Sequence, residues 1–135
     1  MKRTLALIAL LAAVPALANT TLFTRYEGVR QGFLKASLKQ VQSNAKALAA
    51  DARKAKQEAI AKEADAVASA ADMEKARAAL GPLSDRMIEL QKKTEGARPA
   101  VYACPMVRKS WLQPKGKVGN PYEASMADCG MLKSE

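Results

Sequence analysis

Three observations predict an all-α fold: a three- to four-helix antiparallel bundle with an irregular Cys/Met-containing C-terminal tail packed on it. Alanine supplies 28 of the 135 residues and aromatic side chains only 4%. Apolar residues recur every three or four positions through the middle of the chain, the spacing of one helix face. Four of the six prolines lie beyond residue 97, where that spacing stops. One domain is expected at this length. Alanine buries little apolar area, and burial is worth roughly 25 cal/mol per Å², so the expected fold is thin and helical.

Residues 1–18 read as a cleaved secretory signal peptide. Lys2 and Arg3 give a charged start, and Leu5 to Val14 give an apolar stretch too short to span a bilayer. Ala16-Leu17-Ala18 has the small-x-small form of a cleavage site. The alternative is an uncleaved anchor. No other segment approaches ~18 uninterrupted apolar residues, so no membrane span is expected after cleavage. The expected mature protein starts near Asn19 and is periplasmic or otherwise exported. Without Lys2 and Arg3 it carries 20 Lys+Arg against 13 Asp+Glu, a net charge of +7. Export and the lack of interleaved aromatics argue against nucleic acid as a partner. The excess reads as a solvated Lys-rich helix face, with attraction to anionic membranes or acidic partners as the alternative.

Residues 19–96 read as the helical bundle. Leu22, Tyr26, Val29, Phe33 and Ala36 mark the buried face of a first helix, on which Gly28 and Gly32 would let a neighbouring backbone come close. Val41, Ala45, Leu48, Ala52 and Ala55 mark a second. Ala59 to Ala71 holds a further turn or two and a connection. With 16 alanines between Val41 and Leu80, this stretch favours helix by intrinsic propensity. A long helix begins at the N-cap Asp72 and buries Met73, Ala76, Leu80, Leu83, Met87 and Leu90. Its phase is unbroken across Gly81-Pro82, which predicts one kinked helix rather than two. Gly96 and Pro99 end it.

Residues 97–135 form the tail, one domain with the bundle. It holds both cysteines, the only tryptophan, two of three tyrosines and Met106, Met126 and Met131. Val101-Tyr102-Ala103 reads as a small strand and the remainder as turns. Trp111 and Tyr122, its largest apolar groups, are expected to pin it against the bundle. Without histidine, His-based triads, His-ligated zinc and c-type haem are excluded. Two thiols and three thioethers make a soft ligand set that favours Cu(I) or Ag(I) over magnesium, calcium or manganese. The metal candidates are Cys104, Met106, Met126 and Cys129, with Met131 as a substitute ligand. The competing reading is a Cys104–Cys129 disulfide, the commonest fate of two cysteines in an exported chain, with the methionines as core filler.

Val101-Tyr102-Ala103-Cys104-Pro105-Met106 followed by Cys129-Gly130-Met131-Leu132 resembles the short heavy-metal-binding module attached to copper-exporting ATPases and efflux adaptors. Val107 replaces that module's histidine and Met126 the first cysteine of its Cys-x-x-Cys, which removes zinc-type ligands and keeps a soft one. Tyr26, Ala76-Arg77, Leu83-Ser84, Cys104-Pro105-Met106, Trp111-Leu112, Asn120-Pro121-Tyr122, Met126 and Cys129-Gly130 are similar to a poorly characterised exported helical domain family. Its members occur alone or fused to copper/silver efflux membrane-fusion proteins. The resemblance implies metal handling and a membrane-fusion or efflux component as partner. An enzyme is not expected: Ser84 and Ser110 lack a recognisable base partner, and cysteines 25 apart do not form the Cys-x-x-Cys of a thiol oxidoreductase. The two functions in view are an exported soft-metal binding protein and a disulfide-stapled helical interaction module without metal.

Overall fold

A computed structural model describes residues 14–135; the first thirteen residues of the expected signal peptide lie outside the described residues. Four helices precede a three-stranded antiparallel sheet: α1 (Val14–Leu34), α2 (Leu38–Lys54), α3 (Glu58–Ala68), α4 (Met73–Lys93), β1 (Ala100–Cys104), β2 (Lys109–Gln113) and β3 (Met131–Ser134). A single turn of 3₁₀-helix, Ala124–Met126, precedes β3. The all-α expectation is therefore wrong, and the fold is mixed α/β. Helices fill the region expected of them, but the tail, expected to hold one small strand among turns, forms a three-stranded sheet. No described helix is long and apolar enough to cross a membrane.

The helices follow from their apolar stripes and caps. On α1, Leu22, Tyr26, Val29 and Phe33 are buried. Ala36, assigned to the same face, instead lies beyond the helix in the left-handed region at φ 51° and is exposed. There the Ser37 N–H donates to Gly32 C=O and the Ala36 N–H to Phe33 C=O, the double reversal of a Schellman end. Ser37 then caps α2 by accepting from the Gln40 N–H at 3.2 Å, so one short turn both stops a helix and starts its antiparallel neighbour. The α2–α3 turn repeats the closure with Lys56 at φ 58°.

Gly28 and Gly32 do bring α1 and α2 together. A Cβ on Gly28 would lie 2.4 Å from Asn44 Oδ1, and one on Gly32 would lie 2.8 Å from the Val41 backbone nitrogen. Helix α3, at three turns, is longer than the turn or two expected. Asp72 caps α4 through the Lys75 N–H at 2.8 Å, and the helix runs unbroken through Pro82, which faces solvent. It stops at Lys93, before Gly96, because Arg98 reaches back to the Gln91 and Thr94 carbonyls at 3.0 and 2.8 Å and satisfies its open end.

The sheet order is β2-β1-β3. Its residues Ala100, Val101, Tyr102, Cys104, Trp111 and Leu112 belong to the same buried cluster as the helix stripes. Strand β2 packs on α4; β3, the edge strand on the other side of β1, has all four residues exposed.

Candidate functional site

The segments that carry the sulfur residues come together at one end of the sheet because of its topology. Strand β1 ends at Cys104. The turn Pro105–Arg108, closed by Arg108 at φ 53°, carries Met106 and returns the chain as β2, with Cys104 opposite Lys109. After the 3₁₀ turn ending at Met126, the Cys129 N–H donates to the Met126 carbonyl at 2.9 Å. Strand β3 then begins beside the end of β1, with Met131 opposite Ala103. Two arms 25 residues apart are thus brought to the same place.

Cys104 and Cys129 are joined there in a disulfide, their Cα atoms 5.4 Å apart. Cys104 is 1% exposed, whereas Cys129 and Met126 are half-buried. Met106 and Met131 are 73% and 56% exposed, far from the core-filler role open to methionine. Among the described residues, no three Cys, Asp or Glu side chains gather into a group able to hold a metal ion. The donors at this end are therefore sulfurs, and in the oxidised state the thioethers alone retain ligand character. Reduction would turn the two cysteines into thiolates, the stronger soft ligands of the set.

Beneath the disulfide lies an aromatic layer. Trp111 is fully buried, stacks on Tyr102 at 6.3 Å between ring centroids, and meets Tyr122 edge-on at the same distance. Its Nε1–H donates to Gln113 Oε1 at 2.9 Å. Gly130 presses against the indole: a Cβ there would stand 2.8 Å from Cη2. Tyr122 has the expected pinning role, through Ser84 of α4, and Trp111 is the buried centre of the tail's aromatic layer.

A buried hydroxyl chain ties this layer to the helices. Tyr26 Oη lies 2.6 Å from Ser84 Oγ, and Tyr122 Oη lies 2.7 Å from Ser84 Oγ and 3.1 Å from the Ser110 carbonyl. The Leu112 N–H donates to Tyr26 Oη at 3.4 Å. A carbonyl can only accept and a phenol has one proton, so one direction satisfies the chain throughout. Leu112 N–H donates to Tyr26, Tyr26 to Ser84, Ser84 to Tyr122, and Tyr122 to Ser110. Burial pushes the Tyr26 phenol up to about 12 and raises Tyr122 as well, helped by the neighbouring Tyr26. Both hold their protons at physiological pH, and the chain ties α1 and α4 to the tail.

Two supporting residues escaped the sequence reading. Arg30, 4% exposed, grips Glu27 through Nε at 2.8 Å and Nη2 at 2.6 Å and donates to the Gly119 carbonyl at 2.7 Å. Gln113 accepts from Gly119 N–H at 3.1 Å and donates to the Lys117 carbonyl at 3.0 Å. Glu27 and Arg30, three apart, look like an ordinary surface pair; only the tail folding over them buries the arginine. A cleft of about 470 Å³ lies at the opposite end of the sheet, lined by Phe23, Tyr26, Pro99, Leu112 and Pro114 among others, and contains none of the sulfur residues. Compared with family models, curated proteins and solved structures, the chain matches none.

Proposed function

We propose that the chain is an exported soft-metal binding protein that sequesters Cu(I) or Ag(I) at the sulfur-lined end of its sheet, or hands it to an envelope efflux system. Cys104 and Cys129 act as thiolates, Met106 and Met126 complete the shell, and Met131 substitutes for one of them. The single observation that carries the reading is that the fold brings Cys104 and Cys129 together, with Met106, Met126 and Met131 each within three residues of one of them in sequence and Met106 and Met131 exposed. A thioether exposed to this extent contributes little to folding, and soft-ion capture gives it a use. Export is supported by the leader pattern and by the exposure of Ala16 and Leu17, since a cut after Ala18 would remove no buried side chain among those described. The chemistry is binding rather than catalysis.

The test is Cu(I) titration of the reduced protein, without oxygen and against a competing chelator. The expected result is stoichiometric binding that weakens as pH falls, because protons compete for the thiolates, and that disappears in the Cys104→Ser, Cys129→Ser double variant. Unchanged binding in that variant would overturn the proposal. The formed disulfide favours a second reading, a stapled helical interaction module in which the sulfurs serve architecture alone. That reading expects no free thiol in freshly isolated protein and a loss of thermal stability on reduction that metal cannot restore.

A further inference from the structure

We infer that Cys129 is the entry sulfur for thiol–disulfide exchange, and that a dithiol reductant acting there switches the sulfur-lined end from a closed staple to an open soft-metal site. The consequence for metal rests on the function proposed above; the direction of attack does not.

The two sulfurs of the staple are unequal in access. Cys104 is 1% exposed at the end of the central strand and belongs to the buried core. Cys129 is half-buried, in the turn leading to the outermost strand. Exchange requires a thiolate to approach one sulfur along the disulfide axis, so access selects which sulfur is struck. An incoming dithiol attacks Cys129 Sγ, and the bond to Cys104 breaks with its electron pair leaving on Cys104 as a thiolate. The second thiol of the reductant then attacks its own sulfur in the mixed disulfide and releases Cys129 as a thiolate. The reductant ends as a disulfide, two electrons have passed to the Cys pair, and the two protons of the dithiol go to solvent or to the released thiolates. The second thiol completes the release of Cys129, so a dithiol reduces the pair further than a monothiol, which stops at the mixed disulfide.

What is freed leads into the exposed edge strand. Strand β3 has no buried side chain, and its pairing with β1 slips around Lys133, with Tyr102 opposite Leu132 and Val101 opposite Ser134. Apart from that pairing and the staple, its end is held by Arg98, which donates to the Glu135 carbonyl at 2.8 Å, and by the Lys115–Glu135 ion pair, both exposed. Breaking the staple leaves Cys129 and Met131 on an arm held by its pairing with β1, by the Gly130 contact with Trp111 and by these exposed tethers, while Cys104 stays on the buried central strand. One half of the ligand set thus sits on the buried strand and the other on the exposed edge strand, which opening of the staple leaves with fewer tethers.

Two measurements test this. First, the oxidised full-length protein is incubated with a thioredoxin-type protein whose resolving cysteine is replaced by serine, and the trapped mixed disulfide is located by peptide mass spectrometry in acid. The expected adduct is on Cys129, at least about tenfold over Cys104. An adduct mainly on Cys104, an even split, or no adduct where the denatured protein gives one would each overturn the inference. Second, Cu(I) competition is run on oxidised and dithiol-reduced protein, with far-UV circular dichroism verifying that the helices persist. Binding by the reduced form and at least about tenfold weaker binding by the oxidised form is expected. Equal binding by both overturns the switch. Failure of the reduced form to bind, with the adduct on Cys129, overturns the metal function and the switch built on it while leaving the entry sulfur in place.

Discussion

Ser84 is the residue on which the largest number of elements depend. Its single hydroxyl accepts from one buried phenol and donates to another, joining α1 to the segment that carries Tyr122. Ser84→Ala removes one atom and leaves both phenols a bond short, and an unsatisfied buried polar group costs about 1–3 kcal/mol. Chemical denaturation should show a loss in that range, against near-zero for Ser43→Ala on the exposed face of α2. The same phenols set an alkaline limit on stability. Tyr26 keeps its proton up to about 12 in the fold, against 10.0 for a free phenol, and Tyr122 is also raised. Above pH about 10 the unfolded chain releases protons that the folded chain holds. Stability contributed by these groups is complete below that pH and falls as pH climbs toward 12, by about 1.4 kcal/mol per pH unit for each phenol. Denaturant melts at pH about 9 and about 11 should differ accordingly, and Tyr122→Phe should shallow the slope.

At the scale of elements, the two helix turns carry a correctable cost. Ala36 and Lys56 occupy left-handed positions at φ 51° and 58° that cost a residue with a Cβ about 1–2 kcal/mol. Ala36→Gly and Lys56→Gly should each raise the free energy of unfolding by about 0.5–1 kcal/mol, after the extra freedom of glycine in the unfolded chain is counted. A lower stability in either variant would show that the closure does not depend on backbone strain. These turns also mark where the sequence stops being readable. Helix α4 was legible because Ala76, Leu80, Leu83, Met87 and Leu90 repeat in phase and Asp72 caps them, all of it local information. Strand β1 was legible from Val101-Tyr102-Ala103. Strand β2 was not: Lys-Ser-Trp-Leu-Gln buries its last three residues in succession, with no alternation to read, because the helices lie on one side of it and the segment from Lys117 to Gly130 covers the other. Nor was β3, whose exposed Met-Leu-Lys-Ser is extended only because β1 lies beside it and Cys129 anchors its start. Non-local pairing supplied what propensity did not. The candidate site was legible as a set of residues, since soft ligands stand out in composition, whereas the linkage between its two thiols was left open and the exposure of its methionines was not foreseen.

For the whole molecule, the staple decides how firmly the sheet half is held to the helical half. Closing a loop of 25 residues stabilises a fold by about 3–4 kcal/mol through the entropy it removes from the unfolded chain. Reduction should therefore lower Tm by about 10–20 °C while helical circular dichroism at room temperature is kept, since the stripes of α1 to α4 form their own buried contacts. Collapse of the helical signal at room temperature would place the staple at the centre of folding rather than at its edge. The hydroxyl chain and the Arg30–Gly119 bond hold the tail by routes that do not pass through sulfur, which is why partial rather than global loss is expected.

The contact between Gly130 and the indole of Trp111 has one last consequence. The chain has a single tryptophan, and that ring abuts the residue next to Cys129. An intact S–S bond so near drains the excited state of an indole, and opening it lets the light return. Emission intensity alone should thus follow the opening and resealing of the pair in real time, with no dye attached and no side chain altered.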